Sequence, residues 1–245
     1  MSTTSDPGRP ADAHTDTRSA CVFAPSPLLT VTVEDAAGDG SEVHLHAGGQ
    51  GFWIARMLVA LDLDTELCAP LGGEVGLVLE PLIAAEGVRV RPGARTRGNG
   101  AYVHDRRGGE RDVVADMPPG RLSRHEVDEL YSATFASGLA ADVAVLGGPS
   151  APDVVPADVF RRIAADLGSV GKPVVADLSG EELTAAVQGG VTVLKVSHED
   201  LVEHGLASSA EPKALVDTMH DLAGAGARTV VVSRAGEPTF RAGRG

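Results

Sequence analysis

The sequence predicts an α/β fold, a mostly parallel sheet flanked by helices with a small β lid. Three observations predict it. From Thr65 onward, short strand-like runs alternate with helical patterns, as a parallel sheet with crossover helices requires. The run Val143-Ala144-Val145-Leu146 is continuously apolar and ends in Gly147-Gly148-Pro149, as strands buried on both faces do. Two stretches, 29–46 and about 98–116, break this rhythm with alternating residues around glycine turns, and they fit a second, smaller sheet.

In chain order, residues 1–20 are rich in Ser, Thr, Asp, Ala, Gly and Pro, and read as a disordered tail. The domain is expected over 21–245, opening with a short strand at Cys21. Leu29, Val31 and Val33 alternate with Thr30, Thr32 and Glu34; after the turn Gly38-Asp39-Gly40, Val43 and Leu45 alternate with His44 and His46. Ile54, Met57, Leu58 and Leu61 mark one helical face. Strands follow at Thr65–Ala69 and Gly87–Val90, on either side of a helix from Val75 to Glu86. The 98–116 stretch reads as a hairpin around Arg106-Arg107-Gly108-Gly109. Ser123 with Glu126 three residues later is a capping box, opening a helix toward Phe135. Helices at Val159–Leu167 and Pro212–Ala223 alternate with strands at Pro173–Ala176, Val191–Leu194 and Arg228–Ser233.

The formal net charge of −13 opposes binding to nucleic acid or an anionic membrane, and an aromatic content of 3% leaves little for stacking on bases. No apolar run approaches the roughly 20 residues that span a bilayer, and the first residues lack the apolar centre of a signal peptide. A cytoplasmic protein is expected. Cys21 and Cys68 sit in strand-like runs and read as small buried hydrophobes rather than a disulfide.

Candidate binding residues gather around the stretch His46–Leu63. Gly48-Gly49-Gln50-Gly51 runs straight into the apolar helix; glycines let a ligand approach the backbone, and a helix start offers free N–H groups. The same glycines also fit a plain turn into a core helix. His44 and His46 share a strand face, yet no further ligand completes a metal spacing. Arg106, Arg107 and Arg111 form a cationic cluster in an acidic chain, suited to a phosphate ester or equally to guarding a sheet edge; Arg95 and Arg97 are expected to face the same cleft. Asp177 closes a buried strand, where ligands bind in open α/β sheets, or else caps the next helix in competition with Ser179. Lys195 also ends a strand.

Several of these motifs, in this order, resemble the PfkB/ribokinase family of carbohydrate kinases. Gly48-Gly49-Gln50-Gly51-Phe52-Trp53-Ile54-Ala55 is similar to its GGKGxNxA signature. Pro25-Ser26-Pro27-Leu28-Leu29-Thr30 resembles the NPxxD opening of the 1-phosphofructokinase branch. Leu71–Gly76 looks like its GG-x-x-G turn, Asp177-Leu178-Ser179-Gly180 like DTSG, Lys195–Leu201 like KPNxxEL, and Val230–Ser233 like the strand leading to the nucleotide. Thr30, Gln50 and Trp53 stand where the family has Asp, Lys and Asn; Ser197 and Asp200 stand where it has Asn and Glu.

The resemblance implies a ribokinase-like fold whose lid, from about 29–46 and 98–116, closes over a sugar. It implies ATP and Mg2+ as cofactors and a sugar or sugar phosphate, a hexose phosphate favoured, as substrate. It implies substrate contacts at Thr30, Gly48, Gly49, Gln50, Trp53, Arg106 and Arg107, and nucleotide or phosphate contacts at Asp177, Lys195, Ser197, Asp200 and Ser233. The turn Ala235-Gly236-Glu237-Pro238 would be the nucleotide loop. The family's GAGD signature, which carries its base and anion hole, does not occur in these 245 residues. Relative to the family the domain is therefore expected to be incomplete at its C-terminal end and inactive by itself. The alternative expectation is a non-catalytic, regulatory relative that binds a sugar phosphate or forms a homodimer through the lid.

Overall fold

The computed structural model describes residues 18–243. In chain order the elements are β1 (Ser19–Phe23), β2 (Leu28–Asp35), β3 (Ser41–Gly48), α1 (Gln50–Ala60), β4 (Asp64–Leu71), α2 (Gly73–Ala85), β5 (Arg89–Ala94), β6 (Gly100–Asp105) and β7 (Asp112–Met117). They continue with α3 (Arg124–Ala140), β8 (Val143–Gly147), α4 (Asp158–Ser169), β9 (Val174–Asp177), α5 (Gly180–Gly189), β10 (Val191–Ser197), α6 (His198–Glu203), α7 (Pro212–Ala225), β11 (Ala227–Arg234) and β12 (Glu237–Gly243).

The large sheet has the order β12-β11-β10-β9-β8-β1-β4-β5, parallel throughout except for antiparallel β12. Its alternating residues feed two cores. Cys21 and Phe23 of β1 point into one, with Leu146, Ala176, Leu194 and the buried faces of α3, α4, α5 and α7. Val22 and Ala24 point into the other, with Leu67, Phe52 of α1 and Leu79 and Ile83 of α2. Phe23 meets Phe160 edge-to-face at 5.2 Å between ring centroids; such pairs add about 0.5–1.5 kcal/mol beyond the area they bury. The capping box of α3 forms as the sequence indicates, with Ser123 and Glu126 exchanging hydrogen bonds.

The four-stranded sheet has the order β3-β2-β6-β7. Its β2–β6 pairing is parallel and the other two are antiparallel. It joins the body through four crossings that hydrogen bonds hold together. The buried Asn99 amide donates to the Pro27 and Pro70 carbonyls and accepts from the Gly72 N–H. Arg95 is buried and donates to the Gly98 and Gly120 carbonyls. Glu126 accepts from the Thr96 and Ser123 backbone N–H groups. Burial works against charge on Glu126, but these donors outweigh it and hold its pKa at about 2.

Several expectations need correction. The first strand begins at Ser19, inside the expected tail, because Asp142 accepts hydrogen bonds from the Ser19 backbone and hydroxyl; residues 1–17 lie outside the described part. Arg95 faces the joint rather than a cleft, since its Nε and Nη2 donate to the Gly98 and Gly120 carbonyls, while its Nη1 is buried without a partner. Residues 235–236 are a hairpin turn between β11 and β12, an edge strand the sequence reading did not anticipate. Pro238 is tolerated there because an edge strand has a free side. Cys21 and Cys68 are buried free thiols, 3.8 Å apart across β1 and β4.

Candidate functional site

The start of α1 is where body and small sheet meet. Gly49 has φ 97°, and a Cβ there would stand 2.9 Å from the Ser26 carbonyl oxygen. A Cβ on Gly51 would lie 2.4 Å from Ala24 Cβ, and one on Gly147 would lie 2.9 Å from Gly51 Cα. The glycines thus let the helix start press directly on the ends of β1 and β8. No side chain caps this helix, so its first N–H groups lack a side-chain acceptor.

Gln50 Oε1 accepts the Gly148 N–H at 2.7 Å, a strut from α1 to the loop after β8. A lysine ammonium has only donors and could not accept that proton. The same loop is tied to the β1–β2 turn, where the buried Ser26 hydroxyl accepts from the Ser150 N–H at 2.6 Å.

Beyond Gln50 lies a cleft of about 750 Å3 along the carboxyl ends of β8, β9 and β10, lined among others by Gly148, Asp177, Lys195 and Asp200. Of its charged groups, those at the strand ends are partnered within the chain, whereas Asp153, Glu181 and Glu182 line it without a salt bridge among the described residues. Lys195 Nζ is 3.1 Å from Asp177 Oδ1, and the Ser197 hydroxyl donates to Asp200 Oδ2 at 2.6 Å. Ser197 also accepts from the Asp200 N–H and so caps α6. Ser179, not Asp177, is the residue before α5, and it makes no side-chain cap bond.

A second hollow, about 400 Å3, lies on the polar face of the small sheet. Thr30, Thr32 and Glu34 of β2 line it beside His44 and His46 of β3, His104 of β6, Arg106 and Arg111. The β2–β3 and β2–β6 registers put Thr32 opposite both His44 and His104. Arg106 reaches Glu34 at 3.4 Å, and the Arg111 guanidinium lies 5.1 Å over the Tyr102 ring.

The expected site residues therefore divide. Gln50, Asp177, Lys195 and Asp200 share the cleft; Thr30 and Arg106 share the hollow; Gly48 and Gly49 lie at the joint between them. Arg107 is separated from Arg106: it pairs with Asp105 at 2.6 Å and reaches the Ser41 hydroxyl at the hairpin tip. Trp53 is 48% exposed, with Arg56 over its ring at 5.4 Å, and lines neither space. Ser233 donates to the Val196 carbonyl and also lies outside both linings.

Residues 27–243 match the family model described as pfkB family carbohydrate kinase. The chain belongs to the PfkB family of carbohydrate kinases. It is 24% identical over 192 residues to the 1-phosphofructokinase of Bacillus subtilis, a match over 78% of this chain and 62% of that protein. The chain thus spans less than two thirds of that relative's length. Among solved structures, the tetrameric inhibited form of Escherichia coli phosphofructokinase-2 superposes with a TM-score of 0.77 at 22% identity, covering 93% of this chain and 77% of that one. The same enzyme in complex with fructose-6-phosphate gives 0.75 at 21% identity, covering 93% and 77%. A carbohydrate kinase from Agrobacterium tumefaciens gives 0.65 at 19% identity, covering 93% and 73%. The PfkB fold, a ribokinase-like parallel sheet flanked by helices, is that of this chain. Among the described residues no helix is long and apolar enough to cross a membrane.

The sequence reading missed His104 and Ser26. Ser26 stands at the Asn position of the NPxxD-like stretch Ser26–Thr30, but its bond to Ser150 joins residues 124 apart and has no local signal. His104 needed the register of a parallel pairing across 72 residues, which no local pattern encodes.

Proposed function

We propose that this chain binds a phosphorylated hexose between the small sheet and the carboxyl edge of the large one, and that the small sheet is its lid. The lineage reaction is transfer of the ATP γ-phosphoryl group to a sugar or sugar-phosphate hydroxyl, and by itself this chain holds the sugar without transferring phosphate. The observation that carries this reading is the pairing of the strand-end residues of the cleft with one another. Asp177 is engaged by Lys195 and Asp200 by Ser197, while in the hollow lined by Thr30 the His104 Nδ1 is buried without a partner. A kinase fold needs a free base near the attacking hydroxyl and cations around the phosphoryl group.

ATP and Mg2+ belong to the family's reaction. Among the described residues no group of three or more His, Cys, Asp or Glu is placed to hold a metal ion, and of the carboxylates lining the cleft Asp177 is paired with Lys195 and Asp200 with Ser197. Asp177 and Asp200 are thus engaged by the chain's own Lys195 and Ser197 and are not open as ligands for Mg2+. Gln50 supplies an acceptor where a phosphate would want a cation. Losing one electrostatic donor costs about 2.7–4 kcal/mol of barrier, so losing several leaves little transfer.

The test is a coupled ADP assay with fructose 6-phosphate, run beside thermal unfolding with the same sugar. Stabilisation without turnover supports the reading. Turnover that Asp177→Ala abolishes would overturn it in favour of an active kinase, and neither stabilisation nor turnover would remove the sugar altogether. A homodimer through the lid fits the same reading, because the other face of the small sheet exposes Val43, Leu45 and Met117; sedimentation of Leu45→Glu against the parent chain checks it.

A further inference from the structure

One stretch of the cleft wall belongs to no helix or strand. Gly148-Pro149-Ser150-Ala151-Pro152-Asp153 runs on from the end of β8 and lines the cleft together with Asp177, Glu181 and Glu182. Its two prolines have no N–H to give. Among the described residues, the hydrogen bonds made by its backbone N–H groups go to side chains: Gly148 donates to Gln50 Oε1 at 2.7 Å, and Ser150 donates to the Ser26 hydroxyl at 2.6 Å. The Ser150 hydroxyl also donates to the Ser26 carbonyl at 3.5 Å, so the two serines are paired twice.

The two acceptors stand on different parts of the molecule. Gln50 is the first residue of α1, a helix of the body, so it pins Gly148 in place. Ser26 lies in the crossing from β1 to β2, where the chain enters the small sheet. It is 4% exposed and stands between Pro25 and Pro27, whose fixed φ stiffens the crossing. The Pro27 carbonyl accepts from the Asn99 amide, which ties this crossing to the one between β5 and β6. At the far end of the stretch Val154 and Val155 are buried in the core, and the Val154 carbonyl accepts the Leu122 N–H at 2.9 Å. Between the pin at Gly148 and the anchor at Val154, the bonds at Ser150 lead to the small sheet, and Ala151 packs partly on the core.

We propose that Ser26 is a positioning residue that makes Gly148–Asp153 a strap coupled to the small sheet, so that this wall of the cleft follows the sheet when it moves, with Gln50 and Val154 as the strap's fixed ends. This rests on the lid reading of the small sheet above and extends it to a wall that belongs by sequence to the large sheet. A serine suits the task, because its hydroxyl accepts an N–H without bringing a charge into an already acidic cleft. A displacement of the small sheet must either carry Ser150 along or break its bonds to Ser26, and one such bond is worth about fivefold in an opening equilibrium.

The test is amide-resolved NMR on the parent chain and on Ser26→Ala and Ser26→Thr. In hydrogen exchange of the parent chain under rising urea, the Ser150 N–H is expected to open with the amides of β2, and the Gly148 N–H with those of β8. A Ser150 N–H that opens with β8 overturns the strap, and this arm needs neither a sugar nor a variant. Saturating fructose 6-phosphate is expected to shift the Ala151 and Asp153 amide signals in the parent chain and in Ser26→Thr, which keeps the hydroxyl. In Ser26→Ala that response should be lost while the β2 signals still move. An equal response of Ala151 and Asp153 in all three chains overturns the positioning role and leaves the proposed function standing. A sugar that moves no signal in the parent chain overturns the proposed function, and the urea comparison then decides the strap.

Discussion

The two spaces of this PfkB chain, the cleft at the strand ends and the hollow on the small sheet, differ in which of their polar groups are satisfied. In the cleft, Asp177 holds Lys195, Asp200 holds Ser197 and Gln50 holds the Gly148 N–H. In the hollow, His104 Nδ1 is orphaned and Arg111 meets only an aromatic face among the described groups. A site whose groups satisfy each other must break those contacts before a ligand gains anything; a site with unpaired buried donors gains on first contact. On the proposed function the difference separates binding from chemistry: the strand-end residues of the cleft hold each other rather than a transferring phosphoryl group.

The comparison breaks most severely at the joint that both spaces share. Gly51→Val places a branched side chain where even a Cβ would lie 2.4 Å from Ala24 Cβ. Overpacking of this kind costs about 1–3 kcal/mol or more. The expected outcome is a large drop in thermal midpoint together with loss of fructose 6-phosphate binding, measured by calorimetric scanning and titration.

Glu126→Gln follows, because one of two backbone donors at Thr96 and Ser123 loses its carboxylate acceptor, at about 1–3 kcal/mol. The pH dependence has a definite sign. The folded pKa of about 2 is depressed from 4.5, so the stabilisation is fully present above 4.5 and is lost as pH falls through 2. The parent chain should lose more midpoint between those pH values than Glu126→Gln does; equal losses in urea or thermal melts would refute the assignment.

Gln50→Lys restores the family's cation and removes the acceptor from Gly148. A loss of about 1 kcal/mol in denaturant unfolding is expected, with no turnover gained in an ADP assay. The smallest effect is expected at the hairpin tip: Arg107→Gln should change fructose 6-phosphate affinity by less than about threefold, since Arg107 is held by Asp105.

What the sequence made legible follows from range. The parallel body was readable because buried strands such as Val143–Leu146 and capped helices such as that opening at Ser123 are local patterns. The small sheet was readable as two stretches because period-two alternation puts Thr30 with Thr32 and His44 with His46. Its hollow was not, since joining His104 to Thr32 depends on a β2–β6 register set by the crossings around Asn99 and Arg95. Arg95 illustrates the converse. Its charge made it look like a ligand group, and only the placement of the Gly98 and Gly120 carbonyls shows it to be a fastening. The adjacency of Asp177 and Lys195 likewise arises from β9–β10 pairing, which brings residues 18 apart to neighbouring strand ends. β12 escaped notice because Pro238 and Gly236 read as a loop, and an edge strand tolerates both.

The most direct measurement of the central claim is one titration series of the parent chain, fructose 6-phosphate against fructose at neutral pH. Saturable binding of the phosphosugar, at least about tenfold tighter than the free sugar, is the expected result. Equal affinity for the two, or none for either, would contradict the claim that this chain is built to hold a phosphorylated hexose.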